Sequence, residues 1–171
     1  MSLKPPVSNN DQSAGNANSS IVLVEFGDYQ CPHCGHAHPL VKRLLKEHGT
    51  AFHFVFRNFP LQEAHPDAFI AALTAEAAAK QGKFWPMHDT IFEHQQSFRG
   101  FHTFIGFAEA LKLDMQQFSE DVRSEHITKK VESDFESGIR SGVNGTPTFF
   151  INGSIAPYDG AYESLVRSIA P

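Results

Sequence analysis

The chain has 171 residues, 41% of them hydrophobic, with 14 Lys and Arg against 19 Asp and Glu for a formal net charge of −5 with histidine neutral. That balance describes one globular domain large enough to bury its own core. It excludes several classes: an acidic chain without a basic run does not suit nucleic acid or an anionic membrane as main partner, no apolar stretch reaches the roughly 18 residues of a membrane span, and two cysteines cannot build the multi-bridge framework of a small secreted scaffold.

Residues 1–20, MSLKPPVSNNDQSAGNANSS, are rich in Ser, Asn, Gly and Pro. They predict a disordered lead-in to a domain over residues 21–171, and they contain no apolar h-region of a signal peptide. The β-branched run Ile21–Phe26 reads as a strand buried on both faces. From Pro32 to His48, Ala37, Leu40, Val41, Leu44 and Leu45 recur at helical spacing. Pro32 suits the first turn, Pro39 should kink the axis, and Gly49 closes the helix. Residues 51–58 alternate as a strand and must stop by Pro60. The three elements form a βαβ unit with a right-handed crossover.

Residues 62–140 read as helical. One helix spans Pro66–Gln81, shorter ones center on Phe84–Phe92 and Phe104–Leu111, and Asp114 with Gln117 resembles a capping box that opens a longer stretch with a break near Ser124. Thr146–Ile151 then reads as a strand, and Asn152-Gly153 is a strong hairpin signal returning Ser154–Ala156 antiparallel. A last helix carries Tyr162, Leu165, Val166 and Ile169 on one face. The order is βαβ, helical insertion, ββα.

Chemistry concentrates in Cys31-Pro32-His33-Cys34. A disulfide between these cysteines closes a tiny loop and adds little stability through loop entropy, so the pair reads as a reactive couple. Cys31 follows a strand and opens a helix, where unpaired N–H groups and the positive dipole end favor a thiolate. Cys34, one turn on, can resolve a mixed disulfide formed on Cys31. A histidine between the sulfurs favors the thiolate further, which makes the disulfide the better oxidant.

These features together resemble the DsbA-type branch of the thioredoxin superfamily: Glu25 six residues before Cys31, the Cys-Pro-His-Cys motif, Pro39 eight residues after Cys31, a late Gly-Thr-Pro, and a helical insertion between the two halves. The resemblance covers about residues 21–169 and implies an α/β thioredoxin-like fold. It implies a protein thiol:disulfide oxidoreductase with Cys31 as nucleophile, Cys34 as resolving thiol and His33 tuning the potential. Pro147 becomes a cis proline facing the disulfide, Thr146 binds extended substrate through its backbone, and Glu25 is a buried acid relaying the Cys34 proton. No cofactor is implied beyond the Cys31–Cys34 disulfide. Implied partners are cysteine-containing protein substrates and a membrane quinone-linked, DsbB-like reoxidase. The implied place of action is the bacterial periplasm or another extracytoplasmic compartment, with the cytoplasm left open by the polar lead-in.

Other readings stand beside these. The enzyme could run as a reductase or isomerase, or the chain could be a zinc- or client-binding module without turnover. Cys31, Cys34, His36 and His38 lie within eight residues, yet a helix from Pro32 places only Cys34 and His38 on one face, so no metal site is assigned. Glu25 could reach solvent at a strand end, and Pro147 could be trans. His48, His53, His65, His88, His94, His102 and His126 show no ligand spacing and read as surface or helix-face residues.

Overall fold

A computed structural model describes residues 1–170. Five strands, β1 (Gln12–Gly15), β2 (Val22–Gly27), β3 (His53–Asn58), β4 (Thr148–Ile151) and β5 (Ser154–Ala156), form one sheet in the order β1-β3-β2-β4-β5. β2 and β3 run parallel, joined by α1 (Pro32–His48), and the β2–β4, β4–β5 and β1–β3 pairs are antiparallel. The insertion is α2 (Ala68–Ala79), α3 (Phe84–Glu93), α4 (Phe101–Ala110), α5 (Met115–Asp121) and α6 (Glu125–Ser141), and α7 (Tyr162–Ile169) ends the fold.

Strand periodicity divides the core. Leu23, Phe54, Phe56 and Phe149 face α1, α7 and the insertion, while Val24, Phe26, Val55 and Phe150 face the other way, toward Phe59 and Phe135. On that second face Gly138 of α6 lies against the Phe59 ring, where a Cβ would come within 2.5 Å of ring carbons. The turn after β4 uses Asn152 and Gly153 with φ of 47° and 81°, the left-handed pair a tight hairpin demands. Asp114 and Ser124 cap α5 and α6, their side chains accepting from Gln117 N–H at 2.9 Å and Ile127 N–H at 3.2 Å.

The sequence-based expectation for residues 1–20 does not hold. Residues 12–15 form the edge strand β1, in register from Gln12↔Phe56 to Gly15↔His53. Upstream, the buried Arg57 guanidinium donates to both Asp11 carboxylate oxygens at 2.8 and 2.9 Å, to the Pro5 and Pro6 carbonyls at 3.0 and 3.1 Å, and to Ser137 Oγ at 2.8 Å. Trp85 Nε1 donates to the Ser13 carbonyl at 2.8 Å. Composition missed this segment because hydrogen bonds to a buried cation and to an exposed strand edge hold it, with few large apolar side chains taking part.

Candidate active site

β2 ends at Gly27, and the four residues to Cys31 turn the chain into α1. Asp28 organizes that turn. Its buried carboxylate accepts from Gln30 N–H at 2.7 Å, Cys31 N–H at 3.2 Å and Leu61 N–H at 2.9 Å, and it lies 2.8 Å from His65 Nδ1. An Asx residue bonding its own backbone two and three residues on is a local motif. Gly-Asp before the cysteine motif is therefore a signal that could have marked Asp28. Nothing local marks the other partners. Gln95, from the insertion, donates through Nε2 to the Tyr29 and Cys31 carbonyls at 2.8 and 2.9 Å, and Gln30 Oε1 accepts from Asp67 N–H at 2.7 Å.

Cys31 is the N-cap residue of α1, with Pro32 in the first turn. It is 4% exposed, Cys34 is fully buried, and both are free thiols. The hydrogen bond from the Cys34 thiol brings the Cys31 thiol down to about 5. Burial works against this, while Thr146 and the backbone N–H groups of Cys34 and His33 add to it. In its thiol form Cys31 Sγ donates to the Thr146 carbonyl at 3.4 Å. Cys34 moves the opposite way: burial pushes its thiol well above the ordinary range, helped by its bond to Cys31 and the nearby charges of Glu25 and Cys31. Its Sγ accepts from Asp28 N–H at 3.4 Å. One sulfur is thus ionized at neutral pH and its neighbor stays protonated.

Glu25 is 3% exposed and sits in register with Phe56 and Phe149. The solvent-reaching alternative therefore fails. Burial, then the Cys31 charge, raises its carboxyl to about 8, so it holds a proton at neutral pH. Gly27 lies beside it, and a Cβ there would come 2.4 Å from the Phe56 ring and 3.3 Å from Glu25 Oε1. Tyr158 borders the same region. Its phenol is raised to about 12 by burial and by the charges of Glu25 and Cys34.

The Thr146–Pro147 peptide is cis and leads into β4. The Thr146 hydroxyl is buried and has no hydrogen-bond partner among the described residues. Pro32 and His33 are exposed on the helix tip; what His33 brings to Cys31 here is its backbone N–H. Of the four residues weighed as zinc ligands, His36 turns to the surface, 3.0 Å from the Gly160 carbonyl. His38 turns to α3. His88 corrects the sequence reading: it is 4% exposed, with Nδ1 2.9 Å from the Tyr29 hydroxyl, and burial keeps it neutral.

Comparison with known proteins agrees with this geometry. The thioredoxin family profile matches residues 8–170. The crystal structure of oxidized BdbD from Bacillus subtilis superposes with a TM-score of 0.84 at 23% identity, covering 99% of this chain and 95% of that one. The thiol-disulfide exchange protein alpha-DsbA2 from Wolbachia pipientis gives 0.80 at 22%, covering 95% and 87%. Among curated proteins, the Na(+)/H(+) antiporter NhaA 1 of Salinispora arenicola is 40% identical over 160 residues, which are 94% of this chain but 24% of that protein; the chain spans about a quarter of the length of such relatives. A cysteine pair at the tip of α1, a strand β4 entered through a cis proline, and the family match across nearly the whole chain lead to one assignment: the chain belongs to the thioredoxin family, with the fold of the DsbA-type thiol-disulfide proteins.

Proposed function

We propose that this protein is a thiol:disulfide oxidoreductase that passes its Cys31–Cys34 disulfide to cysteines of protein substrates. A substrate thiolate attacks Cys31 Sγ, the Cys31–Cys34 bond breaks, and Cys34 leaves as a thiolate that takes a proton. A second substrate thiolate then attacks the substrate sulfur of the mixed disulfide and releases Cys31 as a thiolate. The substrate loses two electrons and the Cys31–Cys34 pair gains them. Glu25, protonated at neutral pH, is the proton donor to Cys34. The Thr146–Pro147 segment takes extended substrate along its backbone, and no further cofactor is needed because the dithiol carries the electrons.

The observation that carries this reading is the contrast within the pair, with Cys31 at about 5 and Cys34 well above the ordinary range. Stabilizing the reduced pair makes the disulfide the stronger oxidant, by about 30 mV for every 1.4 kcal/mol. We therefore assign the oxidant direction, with a membrane quinone-linked, DsbB-like reoxidase restoring the disulfide and an extracytoplasmic place of action. The likeness to a thiol-disulfide exchange protein supports the chemistry.

Equilibration against glutathione buffers tests the direction. A potential clearly above the roughly −270 mV of thioredoxin is expected; a value at or below it would assign a reductase and overturn the oxidant reading. Cys31→Ser should abolish exchange with a dithiol peptide. His33→Val should lower the potential if the imidazole adds to the backbone N–H, and an unchanged value would remove its side chain from the tuning.

A further inference from the structure

Outside the cysteine pair, a second cluster of metal-binding side chains joins α1 to α3. A ring nitrogen of His38, a ring nitrogen of His88 and a carboxylate oxygen of Asp89 lie within 4.8 Å of one another. The His38–Asp89 edge is 3.5 Å from Nε2 to Oδ1, close to the separation of two ligands that each stand about 2.0–2.2 Å from a tetrahedral ion. His38 is 6% exposed, yet its Nε2 is buried with no hydrogen-bond partner among the described residues. A buried imidazole nitrogen left unpaired is costly, and here it points at a carboxylate slightly too far away to satisfy it.

The surroundings fit a cation. Phe92 stacks on the His38 ring at 4.9 Å between centroids, and the Tyr29 hydroxyl, 2.9 Å from His88 Nδ1, fixes the second ring. Partners that orient a ligating histidine are typical of metal sites. Asp89 and Glu93 bring two negative charges and Lys42 one positive, so the cluster is net acidic with its histidines neutral. Lys42 Nζ sits 3.0 Å from Asp89 Oδ2 and 2.8 Å from Glu93 Oε1, which leaves Asp89 Oδ1 turned to His38. Glu93 Oε1 is 4.0 Å from His38 Nε2, within reach as a fourth ligand. Burial keeps both imidazoles below their ordinary range and therefore in the neutral, ligating form.

We propose that His38, His88 and Asp89 form a binding site for a divalent transition-metal ion of the zinc type. Two imidazoles and one carboxylate select zinc, cobalt or nickel over calcium or magnesium. The site is separate from the thiols, although His38 stands one helical turn beyond Cys34. An ion there would tie the helix carrying Cys31 to the insertion.

Zinc titration by calorimetry tests this, using two forms in which the thiols cannot bind metal: the oxidized protein and the Cys31→Ser/Cys34→Ser variant. The second form keeps the test independent of whether the pair oxidizes as proposed above. One equivalent of zinc should bind to either form, and cobalt should give a visible spectrum of tetrahedral N/O coordination. Asp89→Asn, at a partly exposed position that tolerates change, should weaken binding by more than about tenfold. His38→Gln should abolish it, while His36→Gln leaves it unchanged, with circular dichroism showing each variant folded. Calcium should not compete. Absence of binding at 100-fold excess of zinc over protein, or binding that survives both His38→Gln and Asp89→Asn, overturns the site.

Discussion

Glu25 on β2 and Arg57 on β3 are both 3% exposed, on neighboring strands of one sheet, yet they face opposite sides and live in opposite electrostatic conditions. Arg57 is matched at every turn by Asp11, the Pro5 and Pro6 carbonyls and Ser137. Beside it, Lys130 lies 2.6 Å from Asp134 Oδ1 and 3.7 Å from Glu76 Oε1, and Asn58 Nδ2 bridges the same two carboxylates at 2.8 Å each. Glu25 has no such cation; it is held neutral by burial next to a thiolate. The difference separates two uses of buried charge. A saturated network fixes the chain terminus to the fold, whereas an acid left without a counter-ion keeps a proton available for chemistry.

Breaking the saturated side should have the largest effect. Arg57→Met leaves the Asp11 carboxylate buried and uncompensated, and unfolding in urea should show a loss of about 3–5 kcal/mol. Alkylation of Cys31 in the folded variant should proceed at the wild-type rate. A stability change below about 1 kcal/mol would mean that other contacts hold the N-terminal segment.

The reactive side is sharpened by pH. Cys31 falls from 9.0 to about 5 on folding, so its contribution is fully present above pH 9 and is lost as pH falls through about 5. Glu25 rises from 4.5 to about 8, so its contribution is present below pH 4.5 and is lost as pH rises through about 8. In the reduced protein the two slopes, each about 1.4 kcal/mol per pH unit, oppose one another between pH 5 and 8, and stability should be nearly level there. Oxidation removes the thiolate, and with it the smaller cause of the Glu25 shift, but leaves the larger one, burial, so the oxidized form should lose stability as pH rises above 4.5. Urea unfolding of both forms at several pH values measures the widening gap; parallel curves would contradict the thiolate.

Glu25→Gln should slow formation of the mixed disulfide by about a hundredfold, the low end for a lost proton donor, while release of the mixed disulfide and Cys31 alkylation at pH 7 stay unchanged. Stopped-flow reaction with a cysteine peptide separates the two steps. The smallest effect belongs to the grip of the insertion on the active-site turn. Gln95→Ala removes two hydrogen bonds to carbonyls of that turn and should cost about 1–2 kcal/mol in unfolding experiments, with exchange retained.

Much of the fold was legible in the residues. The α1 limits, the parallel β2–β3 pair, the Asn152-Gly153 turn and the cap at Asp114 follow from local rules of periodicity and backbone conformation. Residues 1–20 were misread because their anchor, Arg57, lies more than forty positions away. His88 was misread for a related reason. Phe84 and Phe92 flank it one turn away on α3, but its burial is completed by Tyr29 from the turn before α1 and Phe56 from β3, and spacing along α3 carries no trace of those two.

What the amino-acid order determined by itself was everything short-range: a cysteine pair at a helix start, the helix and strand sequence, the proline before β4. Tertiary structure decided how those parts feel one another. It alone buried Glu25 without a cation, gave Cys31 and Cys34 opposite acidities, and brought His38 to His88 and Asp89. The physical reason is that desolvation and Coulomb interaction depend on distances in space, and those are set only when the sheet and the insertion close around the site.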